Sequence, residues 1–267
     1  MVAFAGNSVL CRIALKETGI DAASFTSIRL LSGALVLLLI VSIFRSGQSG
    51  KGNWLSAISL FAYAAGFSFA YISLSAATGA LLLFGAVQAT MIGHGLWKGE
   101  LLHWQQWLGL VLALAGLVGL MLPGLSAPPL VGSVLMLGAG VAWGIYSLRG
   151  RGAGDPTRVS AGNFLRTVVF ALLLSLLLSQ STRLDEVGVW YAIASGAITS
   201  GLGYAIWYSV LPALKATNAA TVQLSVPVIA ALGGILFLGE PVTLRFVLAS
   251  IAILGGIALV ILSKREG

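Results

Sequence analysis

Residues 84–122, FGAVQATMIGHGLWKGELLHWQQWLGLVLALAGLVGLML, and residues 224–262, LSVPVIAALGGILFLGEPVTLRFVLASIAILGGIALVIL, read as one passage written twice. Each is an apolar run that stops at a Gly-Glu pair, Gly99-Glu100 in the first and Gly239-Glu240 in the second. Each resumes as a second apolar run with small residues at matching places, Ala115-Gly116 and Gly255-Gly256. A repeat of this size sets the architecture before any single element is assigned. Two copies that each hold an odd number of membrane spans lie upside down relative to one another, the arrangement of many secondary transporters.

The remaining composition makes lipid the solvent. The chain has 267 residues, 58% of them apolar and 9% charged, with a mean hydropathy of +1.00. A soluble domain is about 45–50% apolar and about 25% charged, and has no interior large enough to hide this much apolar surface. An all-α polytopic membrane protein follows. The net charge of +7 does not point to nucleic acid, because the basic residues stand singly between apolar runs, where topology places them. Cys11 is alone and the only histidines are His94 and His103, so neither a disulfide framework nor a zinc site is expected, and no cofactor. Met1 leads straight into an apolar stretch without a basic leader, so no cleavable signal peptide is expected.

A helix crosses the hydrocarbon core with about 20 apolar residues. Spans fall at 2–16, 25–44, 54–74, 79–97 and 104–122, then at 129–148, 160–179, 188–211, 217–238 and 242–262. The first is short, so tilt, bilayer thinning or a misplaced start accounts for it. The chain therefore divides into two five-span units, 1–124 and 125–267. With the N-terminus in the cytoplasm, Arg45, Lys51, Lys98, Arg149, Arg151, Arg158, Lys215, Lys264 and Arg265 face inward, against Arg12, Lys16, Arg183 and Arg245 outside. The positive-inside rule then puts both termini in the cytoplasm. Five is odd, so the units are inverted, with Glu100 at the inner surface and Glu240 at the outer one. Further matches are Arg29 with Arg166, Trp54 with Trp190, and Tyr71 and Leu74 with Tyr208 and Leu211.

Two five-span units, a Gly-Glu after each fourth span, an Arg early in each second span and Pro227 in the ninth resemble the drug/metabolite transporter superfamily, specifically its EamA family. The likeness covers essentially the whole chain. It implies a substrate cavity formed mainly by spans 1–4 and 6–9, with spans 5 and 10 at the periphery, and a role in moving amino acids, other metabolites or amphipathic drugs, commonly outward. Gln88 stands near where the family pattern, and Pro227 in the second unit, would place proline.

Polar groups inside a membrane are costly and mark candidate sites. Arg29, about a turn inside the second span, either holds a substrate carboxylate or snorkels to the interface; Arg166 has the same two readings. Glu100 and Glu240 are candidate proton carriers or, since they sit at span boundaries where a carboxylate favours the start of the next helix, structural caps. Tyr63, Phe67 and Tyr71 share one face of the third span, and Ser200, Tyr204 and Tyr208 one face of the eighth beside Trp207. Trp143 and Tyr146 mark the sixth. Mid-span Tyr63 and Tyr204 suit a water-filled cavity or helix packing, whereas Trp54, Trp104, Trp107 and Trp190 suit interfacial belts. Asn7, Gln88 and Gln223, with Phe84 one turn before Gln88, suit a polar substrate or interhelical hydrogen bonding, and Asn163 is placed at the interface. His94 is a candidate proton carrier or a packing residue. Gly201 and Gly203 form a packing notch or a hinge, and Pro227 frees a carbonyl at cavity depth. The leading expectation is a secondary transporter of a small solute, embedded in membrane lipid as a monomer or homodimer. Alternatives are an intramembrane enzyme and a channel or scramblase. No nucleotide-binding loop is present, so transport is downhill or coupled to an ion or proton gradient.

Overall fold

The structure, a computed structural model, describes residues 1–44, 50–99, 101–124, 127–150, 154–210 and 222–263, with only the backbone of Tyr208. Glu100, Arg45, Arg151, Lys215, Lys264 and Arg265 therefore lie outside the described residues. The described chain is helical: α1 (Val2–Glu17), α2 (Ala22–Phe44), α3 (Trp54–Tyr71), α4 (Ala76–Trp97), α5 (Trp104–Met121), α6 (Leu130–Arg149) and α7 (Pro156–Leu177) come first. α8 is continuous in three parts, Glu186–Ala194, a π-helical stretch Ser195–Leu202, and Gly203–Val210. α9 (Ser225–Leu238) and α10 (Leu244–Ser263) complete it. Eight of these are long and apolar enough to cross a membrane; α1, with 16 residues, and α9, with 14, are shorter.

Cap chemistry decides where several helices start. Asp21 accepts from the Ala23 and Ser24 amides, so α2 begins three residues before its apolar run. Asp155 caps α7 through the Arg158 amide, with Pro156 in the first turn, and that helix likewise starts four residues early. Asn53, Ser75 and Asp185 cap α3, α4 and α8. A short polar side chain at such a position satisfies an amide that the helix leaves unpaired, so a helix starts ahead of its hydropathy. The repeated glycines have a conformational reason. Gly99 and Gly239 both take positive φ, 88° and 60°, ending α4 and α9 in the left-handed turn that glycine adopts at least cost.

The main helix contacts come in matched pairs when α1–α5 are exchanged with α6–α10. α3 packs on α6 as α8 packs on α1, α4 on α6 as α9 on α1, and α3 on α7 as α8 on α2. α2 against α7, α4 against α9 and α5 against α10 are their own counterparts. α5 and α10 form a peripheral pair whose backbones nearly touch: a Cβ added at Gly109 would stand 2.5 Å from the Gly256 carbonyl. All five odd-to-even turns, from α1–α2 to α9–α10, gather at one end, called here the Glu240 end. The other, the Asn53 end, brings Gly50 beside Gly154.

Each end is tied across the pseudo-repeat. At the Glu240 end, Asp21 donates its amide to the Arg183 carbonyl at 3.1 Å and accepts the Arg183 amide on its carboxylate at 2.7 Å. At the Asn53 end, the Asn53 amide donates to Asn163 Oδ1 at 2.9 Å, and Arg149 donates to Ser56 and Asn53. Asn163 is 1% exposed, packed inside the bundle at that end, and the early start of α7 places it two turns into the helix. Trp54, Trp104, Trp107 and Trp190 are exposed, as belt residues are.

Candidate functional site

The midpoint between the two ends is polar. α2 carries Arg29 seven residues past its start, a depth of about 10 Å at about 1.5 Å per residue, and Arg29 is only 2% exposed. Its Nη2 donates to the Tyr63 hydroxyl at 3.1 Å and its Nε to Ser200 Oγ at 3.4 Å. The guanidinium carbon lies 5.3 Å from the Tyr63 ring centroid and 4.8 Å from that of Phe67. Asn7 on α1 donates to the same Tyr63 hydroxyl at 3.3 Å and accepts from Ser195 at 2.7 Å and Thr199 at 3.3 Å. Five side chains from α3 and α8 thus converge on Asn7 of α1 and Arg29 of α2.

An aromatic wall closes around them. Trp143 of α6 lies 4.8 Å from Tyr63 and 5.2 Å from Tyr204, ring centroid to centroid, and 5.4 Å from Tyr146. Tyr204 meets Phe164 edge-on at 5.5 Å, and Phe4 bridges Tyr204 to Trp207. Tyr146 in turn accepts from Asn163 and donates to Ser160. The π-helical stretch makes this possible: Gly196 lies against Arg29 and Ser32 of α2, where a Cβ would collide. π-helical turns concentrate at functional sites.

The balance at Arg29 is uneven. Desolvating an ion costs several kcal/mol, and a guanidinium cannot shed its proton. Two hydrogen bonds to a charged group return about 1.5–3 kcal/mol each, and a desolvated cation–π contact about 2 kcal/mol. Among the described residues no carboxylate pairs with Arg29, and its Nη1 has no hydrogen-bond partner. The site therefore holds a buried cation with one donor unspent.

Of the other residues singled out in the sequence, Phe84 and Gln88 are buried in α4, which packs chiefly on α6 and α9. Tyr71 is fully buried at the Glu240 end, donating to the Ala76 carbonyl at 3.3 Å, so it braces the α3–α4 turn. Arg166 does not match Arg29: it donates to its own helix at the Gly162 carbonyl and lies over Trp54. His94 occupies the last turn of α4 beside Trp97, apart from the central cluster. Gln223 precedes α9, half-buried. Pro227 lies in the first turn of α9, just after a turn at Leu224 that separates it from helical Val222 and Gln223, so its missing N–H falls at a break in the ninth span. Tyr208 has no described side chain.

Glu240 was expected to open its own following helix; Thr243 does that, accepting the Phe246 amide. Glu240 instead reaches α4. Its carboxylate accepts the Ala76 amide at 2.8 and 3.0 Å and Arg12 Nε at 3.4 Å. Arg12 also donates to the Tyr71 and Ile72 carbonyls. The bond spans 164 residues, so local pattern could not reveal it. A cleft of about 320 Å³ opens beside this node, lined by Arg12, Lys16, Ser75, Thr78 and Glu240.

Comparison with known proteins fits this geometry. The sequence pattern described as the EamA-like transporter family matches residues 1–122 and 130–262. The chain belongs to the EamA-like transporter family. It is 59% identical over 268 residues to a Pseudomonas aeruginosa protein named Uncharacterized protein PA1977, covering 100% of this chain and 93% of that one. It is 25% identical to the Uncharacterized transporter YoaV of Bacillus subtilis, over 87% of this chain and 85% of that one. Over 54% of this chain and 50% of its relative, it is 31% identical to the Threonine/homoserine exporter RhtA of Salmonella typhimurium. A solved crystal structure aligns with 100% of this chain and 98% of its own at a TM-score of 0.69 and 19% identity, which shows the shared fold. The EamA-like chain is thus a multi-pass integral membrane protein and a membrane transporter, in contact with lipid and acting on small molecules. Its family and relatives point to transport rather than enzyme catalysis.

Proposed function

We propose that the protein is a secondary transporter that exports small metabolites, such as amino acids or amphipathic drugs, across the plasma (bacterial inner) membrane. Ten spans form two inverted five-helix units, residues 1–124 and 125–267, with both termini in the cytoplasm. The solute binds midway, on Asn7, Arg29, Tyr63, Trp143 and Tyr204, and the two units rock so that the Glu240 end and the Asn53 end open in turn. Transport is downhill or coupled to a gradient, since no nucleotide-binding loop is present.

The observation that carries this reading is the buried cation with its polar and aromatic surround where α1, α2 and α3 meet α6 and α8. Ionisable groups at such depth mark substrate pathways, and midplane sites at repeat interfaces are the secondary-transporter pattern. The symmetric packing of the helices and the matched cross-ties at the two ends support rocking. The test is counterflow in proteoliposomes against a panel of amino acids and other metabolites. Saturable exchange of a solute, altered in selectivity by Tyr63 and Tyr204 substitutions, is expected; flux that neither saturates nor shows counterflow would mean a channel and end the carrier reading.

A further inference from the structure

We propose that the central site selects organic monoanions: a carboxylate without a neighbouring ammonium bound by Arg29, and an apolar or aromatic body set against Trp143, Tyr204 and Phe164. The inference rests on the carrier reading above and narrows its solutes from amino acids and drugs to one charge class. It starts from the unspent Nη1 of a side chain that is 2% exposed. A planar guanidinium with a free donor fits a carboxylate oxygen, and the neighbouring donors reinforce that choice. Asn7 Nδ2 and Arg29 Nη2 both aim at the Tyr63 hydroxyl, so an arriving carboxylate can take over either bond.

The ammonium of a zwitterion has nowhere comparable to go. The chain has eight acidic residues: Glu17, Asp21, Glu100, Asp155, Asp185, Glu186, Glu240 and Glu266. Those described sit at helix ends or in turns, and residues 211–221 contain none. Ring faces are the alternative for an ammonium, but those of Tyr63 and Phe67 already face Arg29. A second cation brought within reach of Arg29 would meet like charge in a poorly screened interior. Among the described residues the site's charge is +1 with no internal counterion, and a monoanion brings it to zero.

Three probes of nearly one shape separate the charge classes: 3-phenylpropanoate, phenylalanine and 2-phenylethylamine. Binding to the purified full chain in detergent is read by quenching of tryptophan fluorescence and by thermal stabilisation. The expected order is 3-phenylpropanoate tightest, phenylalanine weaker by roughly tenfold or more, and the amine unbound. Arg29→Gln abolishes binding of the anion, and Arg29→Lys retains part of it. If Arg29→Gln does not fold, the order among the three probes on the native protein decides alone. Phenylalanine binding as tightly as the anion, or the amine binding best, overturns the assignment and leaves the carrier reading standing. None of the three binding to a protein that exchanges some other solute also overturns it. No saturable exchange of any solute sinks the carrier reading instead.

Discussion

At Tyr63 one hydroxyl oxygen accepts from both Asn7 and Arg29, so this oxygen is worth more than the ring that carries it. Tyr63→Phe keeps the ring against Trp143 and removes the acceptor. Leaving two buried donors unmatched costs about 1–3 kcal/mol, and the variant is expected to melt earlier in detergent while keeping its helix content by circular dichroism. An unchanged melting temperature would show that neither donor depends on Tyr63. Asn7, Arg29 and Tyr63 are legible in the sequence because a polar group at mid-span is expensive and stands out. Ser195 and Thr199 are not. Thr199 donates to the Ser195 carbonyl at 2.6 Å, a bond any helical threonine makes to its own backbone, so nothing in the residue type says that the same hydroxyls also serve Asn7. Tyr71 and Tyr204 look alike in the sequence, yet Tyr71 braces a turn and Tyr204 walls the central cluster; apolar spacing gives the face of a helix but not what lies opposite.

Among the elements, the α5–α10 seam separates two adjacent glycines. A Cβ at Gly256 would collide with the Gly109 carbonyl and crowd Ala113, whereas nothing lies within 4 Å of one at Gly255. Gly256→Ala should therefore destabilise by about 1–3 kcal/mol through overpacking. Gly255→Ala should be neutral or stabilise by up to about 1 kcal/mol through helix propensity. Thermal melts of the two variants side by side check this, and equal effects would refute so close a seam. The sequence marked both glycines alike because it shows small size but not azimuth. Likewise, no local signal distinguishes the π-helical stretch 195–202 from ordinary helix; its spacing follows from Gly196 and Gly201 meeting Arg29, Ser32 and Val36 of α2. Asp21 supplies an electrostatic expectation at the same scale. Burial pushes its carboxyl up, but hydrogen bonds from Ser24 and from the Arg183, Ser24 and Ala23 backbones outweigh that and hold it below its ordinary value. A depressed carboxylate contributes its stability above the unfolded value, near pH 4, and loses it as pH falls through the folded one. The tie to Arg183 should accordingly be unchanged between about pH 8 and pH 5 and weaken only below about pH 4, as followed by hydrogen exchange at the Arg183 amide.

For the whole molecule, the duplicated passage predicts that helix contacts come in pairs, and the strongest of them do. The cross-ties were not readable, because each joins residues more than ninety positions apart. One of them offers a direct test of rocking. A Cβ at Gly19 would stand 3.6 Å from Asp185 Cβ, within the usual disulfide separation of about 3.5–4.5 Å. The pair Gly19→Cys and Asp185→Cys, oxidised, should lock the Glu240 end and abolish counterflow, with reductant restoring it; native Cys11, fully buried, is out of reach. Full counterflow through the oxidised protein would rule out opening at that end. The Glu240 bond to α4 also has a meaning in time. While a ribosome has made only the first five helices, the Ala76 amide lacks its cap and Arg12 its carboxylate, and Asn7 and Arg29 still lack the hydroxyls of α8. The first half thus enters the membrane unfinished, and the chain closes its own earliest helices with its last ones.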